Sequence, residues 1–233
     1  GVADGVGGWA SRGVDAGEYA RVLMRNAAQA AERLALDALE DSGVDPAAVL
    51  RSAHASVRCA GSSTALVLAL TRGAELIAAN LGDSGFVIVR AGELIFQSTP
   101  QTHGFNFPWQ LGAGIGDDPC DADVTSTPVR AGDVVIAATD GLFDNVWVSE
   151  VADTVTRELA DGGSPEDAAI ALATLAHEHA RDERWLSPFA KAARDAGYTG
   201  VEGGKLDDVT VVVARVVEDG DHSIKHNRET AKL

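Results

Sequence analysis

Residues 62–97, SSTALVLALTRGAELIAANLGDSGFVIVRAGELIFQ, hold four apolar runs at 62–70, 75–81, 86–90 and 93–97, parted only by short turn signals such as TRGAE and RAGE. Parallel strands need a crossover of about a dozen residues or more, so runs this closely spaced are expected to form an antiparallel meander. Further strands are expected in GDVVIAATDG, residues 132–141, and in DDVTVVVARVV, residues 207–217. Apolar residues recur at helical spacing over 17–41, 148–160 and 164–182. The last of these opens Ser164-Pro165-Glu166-Asp167, with Ser as N-cap and Pro at the first helical position. Helices cluster instead of alternating with strands, so the expected class is α+β with antiparallel sheets and not a doubly wound fold.

With 233 residues, 45% of them hydrophobic, the chain can bury a full core, and no linker divides it. One domain is expected over 1–217, followed by a polar tail at 218–233. The net charge of −16 repels phosphate backbones and argues against nucleic acid as a partner. Cys59 and Cys120 are too few for a disulfide framework and form no CxxC pair, which points to a reducing, intracellular compartment. No apolar run reaches the roughly 18 residues of a membrane span, and no signal peptide opens the chain. Gly1 stands where a Met would, and GVADG reads as the end of a strand already under way. The chain is therefore expected to be a fragment without its native N-terminus or any targeting peptide.

Gly82-Asp83-Ser84-Gly85 looks like the nucleophile loop of a serine protease. A working Ser84 needs a His and a second carboxylate to activate it, whereas a working Asp83 needs other acids gathered around a metal. Three aspartates speak for the second reading: Asp4 in GVADGVGG, Asp140 in VVIAATDGLFD and Asp207 in GGKLDDVTVVV, each where an apolar strand meets a turn. Singly, an Asp-Gly pair is an ordinary turn dipeptide. Together, acids at strand ends along one sheet edge can converge on a hard divalent cation, and oxygen-only donors point to Mg²⁺ or Mn²⁺. The glycines after Asp4 and Asp140 let the backbone come close, so that the Gly5 carbonyl can join the ligand set.

The motifs DGVGGW, GSSTALVLAL, NLGDSG, ATDGLFDNV, SPFAKAARDAG and GGKLDDVTVVV, in this order, resemble the metal-dependent protein phosphatases of the PP2C (PPM) family. DGVGGW and QTHGFNFPWQL look most like its PPTC-seven-like, organelle-associated eukaryotic branch. The resemblance implies two packed antiparallel sheets flanked by helices, with the metal centre at one edge of the sandwich. It implies that Asp4 bridges two ions, that Gly5 gives a carbonyl to one, and that Asp140 and Asp207 complete the second. Asp83 and Asp144 match positions that hold a weaker third ion in some relatives. The implied reaction is direct hydrolysis of phosphoserine or phosphothreonine in phosphoprotein substrates by water activated between two ions, with no phosphoenzyme. The implied protein is a monomer, with a mitochondrial or chloroplast address plausible from the branch. Relatives also carry, ahead of Asp4, a strand with a phosphate-clamping Arg and a Glu-Asp pair, and this chain begins after it.

One departure concerns proton donation. Many relatives carry His after the first Asp-Gly, and here the position is Val6, so the proton for the leaving alkoxide is left to water or to another residue. His103 is a candidate, against the plainer reading of a loop histidine satisfied locally. His177 and His179, two residues apart, do not share a helix face and are expected on a solvated helix. Asp117-Asp118 reads as a turn, and Trp9, Trp109 and Trp147 as core or rim packing. A pseudophosphatase acting as a binding module is the alternative function. Asp140→Asn is expected to abolish turnover and, by relieving carboxylate repulsion, to raise stability without metal.

Overall fold

The computed structural model describes residues 1–37, 43–114 and 116–218. After a 3-10 turn at Gly7–Arg12 come helices α1 (Ala16–Asp37) and α2 (Pro46–Ala55). Strands β1 (Ser62–Ser63), β2 (Ala65–Leu70), β3 (Glu75–Leu81), β4 (Gly85–Arg90) and β5 (Glu93–Gln97) follow. Short strands β6 (Thr102–Gly104), β7 (Phe107–Pro108) and β8 (Leu111–Gly112) lead to β9 (Asp123–Pro128) and β10 (Val134–Ala138). The chain then forms α3 (Asp140–Phe143), α4 (Val148–Ala160), α5 (Pro165–Ala180), α6 (Pro188–Asp195) and β11 (Val211–Arg215).

Two main sheets result, one ordered β2-β3-β9 and the other β11-β10-β4-β5, with β1-β8 and β6-β7 as small ribbons. The pairs among these strands are antiparallel. Alternation along the strands sorts the side chains into layers. Leu66, Leu76 and Ala78 of one sheet and Phe86, Ile88, Val135 and Ala137 of the other share a core between the sheets. The opposite faces are covered as well. Ala65, Ala79 and Leu81 pack under α1 and α2, and Val87, Val89, Val134 and Ile136 under α4 and α5. Strands apolar on both faces, such as FVIV in β4 and VVIAA in β10, are a consequence of this four-layer stacking. The expected sandwich of two antiparallel sheets flanked by helices is the fold observed.

The expected meander is corrected at one place. β2-β3 and β4-β5 are hairpins, but β3 and β4 lie in different sheets, so Leu81-Gly82-Asp83-Ser84 is a crossover between layers. Gly82 makes that crossover at φ +106, and a Cβ there would meet the Trp109 carbonyl at 2.6 Å. Run 62–70 is broken at Thr64, and the last strand is shorter than expected, Val211–Arg215, leaving Asp207 in the segment before it. α2, α6 and β9 were not anticipated. Residues 38–41 of the expected first helix, and 219–233 of the expected tail, lie outside the described residues.

Candidate metal centre

Four segments from both sheets meet at one end of the sandwich. The N-terminal segment runs antiparallel to β2, with Val2 and Leu66 exchanging backbone hydrogen bonds at 2.9 and 2.8 Å. Thr64 then holds Asp4 twice, donating its N–H to the Asp4 carbonyl at 2.9 Å and accepting the Asp4 N–H on Oγ1 at 3.1 Å. Gly5 is packed so closely that a Cβ would sit 1.9 Å from the Ala16 carbonyl oxygen, so no larger residue fits beside Asp4.

Asp140 opens α3 where β10 leaves the second sheet. Thr139 ties that strand end to the segment carrying Asp207: its Oγ1 accepts the Thr210 N–H at 3.0 Å, and its own N–H reaches the Thr210 carbonyl at 3.1 Å. Asp144 follows one helical turn later, with its N–H on the Asp140 carbonyl at 2.7 Å, so both carboxylates lie on the same side of α3. One oxygen each of Asp4, Asp140 and Asp207 lie within 4.8 Å of one another. The three acids singled out from the sequence are thus brought together, and Asp83 approaches from the β3-β4 crossover.

Such crowding leaves a mark on ionisation. Burial, reinforced by Asp140, Asp207 and Asp83, pushes the Asp4 carboxyl up to about 8. Burial and Asp140 push Asp83 to about 6, and burial raises Asp144 to about 7. Burial would raise Asp140 too, but the Lys205 charge and hydrogen bonds outweigh it and hold the group below the usual carboxylate range. Lys205 Nζ donates to Asp140 Oδ2 and Asp144 Oδ2, both at 2.6 Å, and lies 3.0 Å from Asp207 Oδ2. Asp140 Oδ1 is buried with no hydrogen-bond partner. A buried, unpartnered carboxylate oxygen beside two further carboxylates fits a hard divalent cation. Sequence reasoning missed Lys205, although it stands only two residues before Asp207.

A protein-family model described as "Stage II sporulation protein E (SpoIIE)" matches residues 12–217. "Probable protein phosphatase 2C 55" of Arabidopsis thaliana is 47% identical over 229 residues, which cover 95% of this chain and 47% of that protein. "Protein phosphatase PTC7 homolog" of Homo sapiens is 39% identical over 228 residues, covering 94% of this chain and 75% of that protein. The chain belongs to the PP2C phosphatase family. Among solved structures, the photosystem II phosphatase PBCP superposes with a TM-score of 0.83 at 32% identity, covering 92% of this chain and 85% of that one. The catalytic domain of the serine/threonine phosphatase PstP, solved with two manganese ions, shares the fold at a TM-score of 0.57 and 22% identity, over 93% of this chain and 86% of that one. The chain spans about half the length of the first curated relatives it matches.

In this PP2C domain Ser84 is fully buried and its Oγ lies 2.7 Å from Thr64 Oγ1, so it cannot reach a substrate as a nucleophile. Val6 and His103 line one cleft of about 700 Å³ with Trp9, Arg12 and Asp117. His103 has local partners: its Nε2 is 2.9 Å from Asp117 Oδ1, and its ring stacks on Trp109. Asp117 also accepts the Gln110 N–H at 2.8 Å, and Asp118 caps the 3-10 turn at Pro119–Asp121. His177 is exposed as expected, but His179 is not solvated; its Nδ1 is 3.1 Å from the Asn145 carbonyl and its ring stacks on Trp185. The tryptophans pack as expected, Trp9 with Nε1 on Ser62 Oγ at 2.7 Å, Trp109 against the core under α1, and Trp147 with Nε1 on the Leu186 carbonyl at 3.1 Å.

Proposed function

We propose that the chain is the catalytic domain of a metal-dependent protein serine/threonine phosphatase, hydrolysing phosphoserine and phosphothreonine in protein substrates. The observation that carries this reading is the meeting of Asp4, Asp140 and Asp207, one carboxylate oxygen of each within 4.8 Å of the others, with Asp140 Oδ1 buried and unpartnered. Family membership supports it, since relatives over most of the chain are named protein phosphatases.

Asp4, Asp140 and Asp207, with the Gly5 carbonyl, would hold two Mn²⁺ or Mg²⁺ ions. When bound, divalent ions lower the pKa of a water nucleophile and offset charge on the transferring phosphoryl group. The residues do the rest. Thr64 holds Asp4, and Ser63 bridges to Gly5, against the first sheet, while Thr139 and Thr210 fix Asp140 and Asp207 against the second. Lys205 orients the Asp140 carboxylate by taking Oδ2, which leaves Oδ1 without a hydrogen-bond partner and free for a ligand. Val6 offers no proton to the leaving alkoxide, which leaves that proton to water or to another residue such as His103, whose ring lines the same cleft. Among the described residues no helix is long and apolar enough to cross a membrane. A mitochondrial or chloroplast address is carried over from the resemblance to the organelle-associated branch, whose PTC7 homologues match over most of the chain, and a monomer is proposed with it.

The test is hydrolysis of p-nitrophenyl phosphate and of a phosphothreonine peptide. Turnover is expected to require Mn²⁺ or Mg²⁺, to be lost with EDTA and to survive okadaic acid. Asp140→Asn is expected to lower kcat at saturating Mn²⁺ by at least about 100-fold, because an anionic ligand is lost. Activity in EDTA, or an Asp140→Asn enzyme within a few-fold of the parent, would refute the assignment.

A further inference from the structure

We infer that Lys205 is a resident cation of the centre, filling the place on Asp144 that a third metal ion would otherwise take. The inference rests on the proposed two-ion centre. An ammonium has three donors, and here they face three carboxylates: Asp140 and Asp144 at 2.6 Å and Asp207 at 3.0 Å. Asp144 therefore spends Oδ2 on nitrogen, and a third ion drawing on Asp83 and Asp144 would have to displace it.

Lys205 is also built in, unlike a surface lysine folded onto the nearest acids. The fully buried Asn145 grips its backbone from both sides, accepting the Lys205 N–H on Oδ1 at 2.8 Å and donating Nδ2 to the Lys205 carbonyl at 2.9 Å. The same Nδ2 donates to the Gly141 carbonyl at 2.9 Å, which ties the clamp to α3 itself. The ammonium lies 5.1 Å from the Phe189 ring centroid, and the Phe189 N–H donates to the Asp144 carbonyl at 3.0 Å.

Charge balance points the same way. Five carboxylates gather here: Asp4, Asp83, Asp140, Asp144 and Asp207. Two divalent ions neutralise four of them, and one ammonium neutralises the fifth. A third divalent ion in addition to Lys205 would leave the half-buried site net positive, and like charges at this spacing repel.

The experiment counts ions instead of turnover. Free Mn²⁺ is measured by electron paramagnetic resonance after titration into metal-stripped protein, with circular dichroism as a check on folding. The parent chain is expected to bind two ions, and Asp144→Asn is expected to leave that number unchanged. Lys205→Met is expected to add a third, weaker ion, and Lys205→Met with Asp144→Asn to remove it again. Three ions on the parent chain, falling to two in Asp144→Asn, would overturn the inference, as would an unchanged count in folded Lys205→Met. If Lys205→Met does not fold, the comparison of the parent with Asp144→Asn decides alone. A parent chain that binds no Mn²⁺ refutes the metal centre itself, and the inference falls with it. Two ions bound by an Asp4→Asn variant would sink the ligand assignment while leaving the Lys205 count intact.

Discussion

Asp4 and Asp140 carry the same side chain in the same cluster, yet their surroundings drive them apart. Asp4 faces Asp140, Asp207 and Asp83, and among the described residues no ion pair reaches it, so burial and like charge push it to about 8. Asp140 is buried too, but Lys205 stands 2.6 Å from Oδ2 and keeps it ionised. Neutralising Asp4 therefore relieves repulsion, whereas neutralising Asp140 strips Lys205 of a charged partner. The stabilisation expected of Asp140→Asn in metal-free buffer accordingly moves to Asp4→Asn. In EDTA at pH 8, Asp4→Asn is expected to raise Tm by about 2–4 °C, the shift that roughly 1 kcal/mol produces in a chain of this size, and Asp140→Asn to lower it. Near pH 5 the Asp4→Asn gain should be much smaller, and it should vanish only below about pH 4, where Asp4 is protonated in the unfolded chain as well. Differential scanning fluorimetry at the two pH values reads both effects, and a gain from Asp140→Asn at pH 8 would contradict this assignment of charge.

Elements matter here because the ligands sit at their ends, and an end is only as fixed as what ties it. Thr139 closes the end of β10 onto the segment before β11, so Thr139→Val removes the acceptor of the Thr210 N–H and loosens Asp207 relative to Asp140. The expected result is a loss of about 10-fold or more in Mn²⁺ affinity, the usual scale when a support behind a metal ligand is lost. Calorimetric titration checks it, and an unchanged affinity in a folded variant would show that the clasp is dispensable. Legibility in the sequence followed the same boundary between segments and their ends. The apolar run 75–81 and the helix 148–160 were readable because burial imposes a period or a run of fixed length, 93–97 was readable from Leu94, Ile95 and Phe96 although it is mostly exposed, and Ser164 is the N-cap expected, with Asp167 closing a capping box on it. β9, DVTSTP, escaped because a sheet-edge strand with mostly exposed side chains has little apolar content to betray it. α6 escaped because eight residues hold too few turns to show a period, although Ser187 caps it through the Ala190 N–H. The sheet change at Asp83 was invisible for another reason: strands apolar on both faces look alike whichever sheet they join. Asp4, Asp140 and Asp207 were legible as acids at strand–turn junctions, but Lys205 was not, because only the folded Asn145 clamp sets a lysine among acids.

At the scale of the whole molecule, the acid cluster lies across the gap between the two sheets. Asp4 is fastened to β2 of the first sheet through Thr64, Asp140 follows β10 of the second, and Asp83 sits on the crossover between them. Cations bound there would join the layers, and their removal leaves like charges pushing the same layers apart. The effect on pH dependence can be signed. Asp4, Asp144 and Asp83 have native values raised to about 8, 7 and 6, so the native state keeps protons that the unfolded chain releases above about pH 4. Stability from these groups is therefore full only below about pH 4, declines as pH rises above that, and is gone once pH has passed through the native values of about 6 to 8. Asp133 works in the opposite sense, since the hydrogen bonds from Arg90 hold its carboxyl low, but its contribution is lost only below about pH 4 and does not overlap that window. In EDTA the Tm is thus expected to fall between about pH 5 and pH 8. Saturating Mn²⁺ is expected to flatten or reverse that slope, because bound cations favour the ionised carboxylates and raise Tm most at high pH. The general negative charge of the chain also grows with pH, and Asp4→Asn separates the two contributions: its slope in EDTA should be shallower than the parent's, whereas a purely global effect would leave the slope unchanged. A parent chain whose metal-free Tm climbs from about pH 5 to pH 8 would show that the cluster is not the strained junction between the sheets.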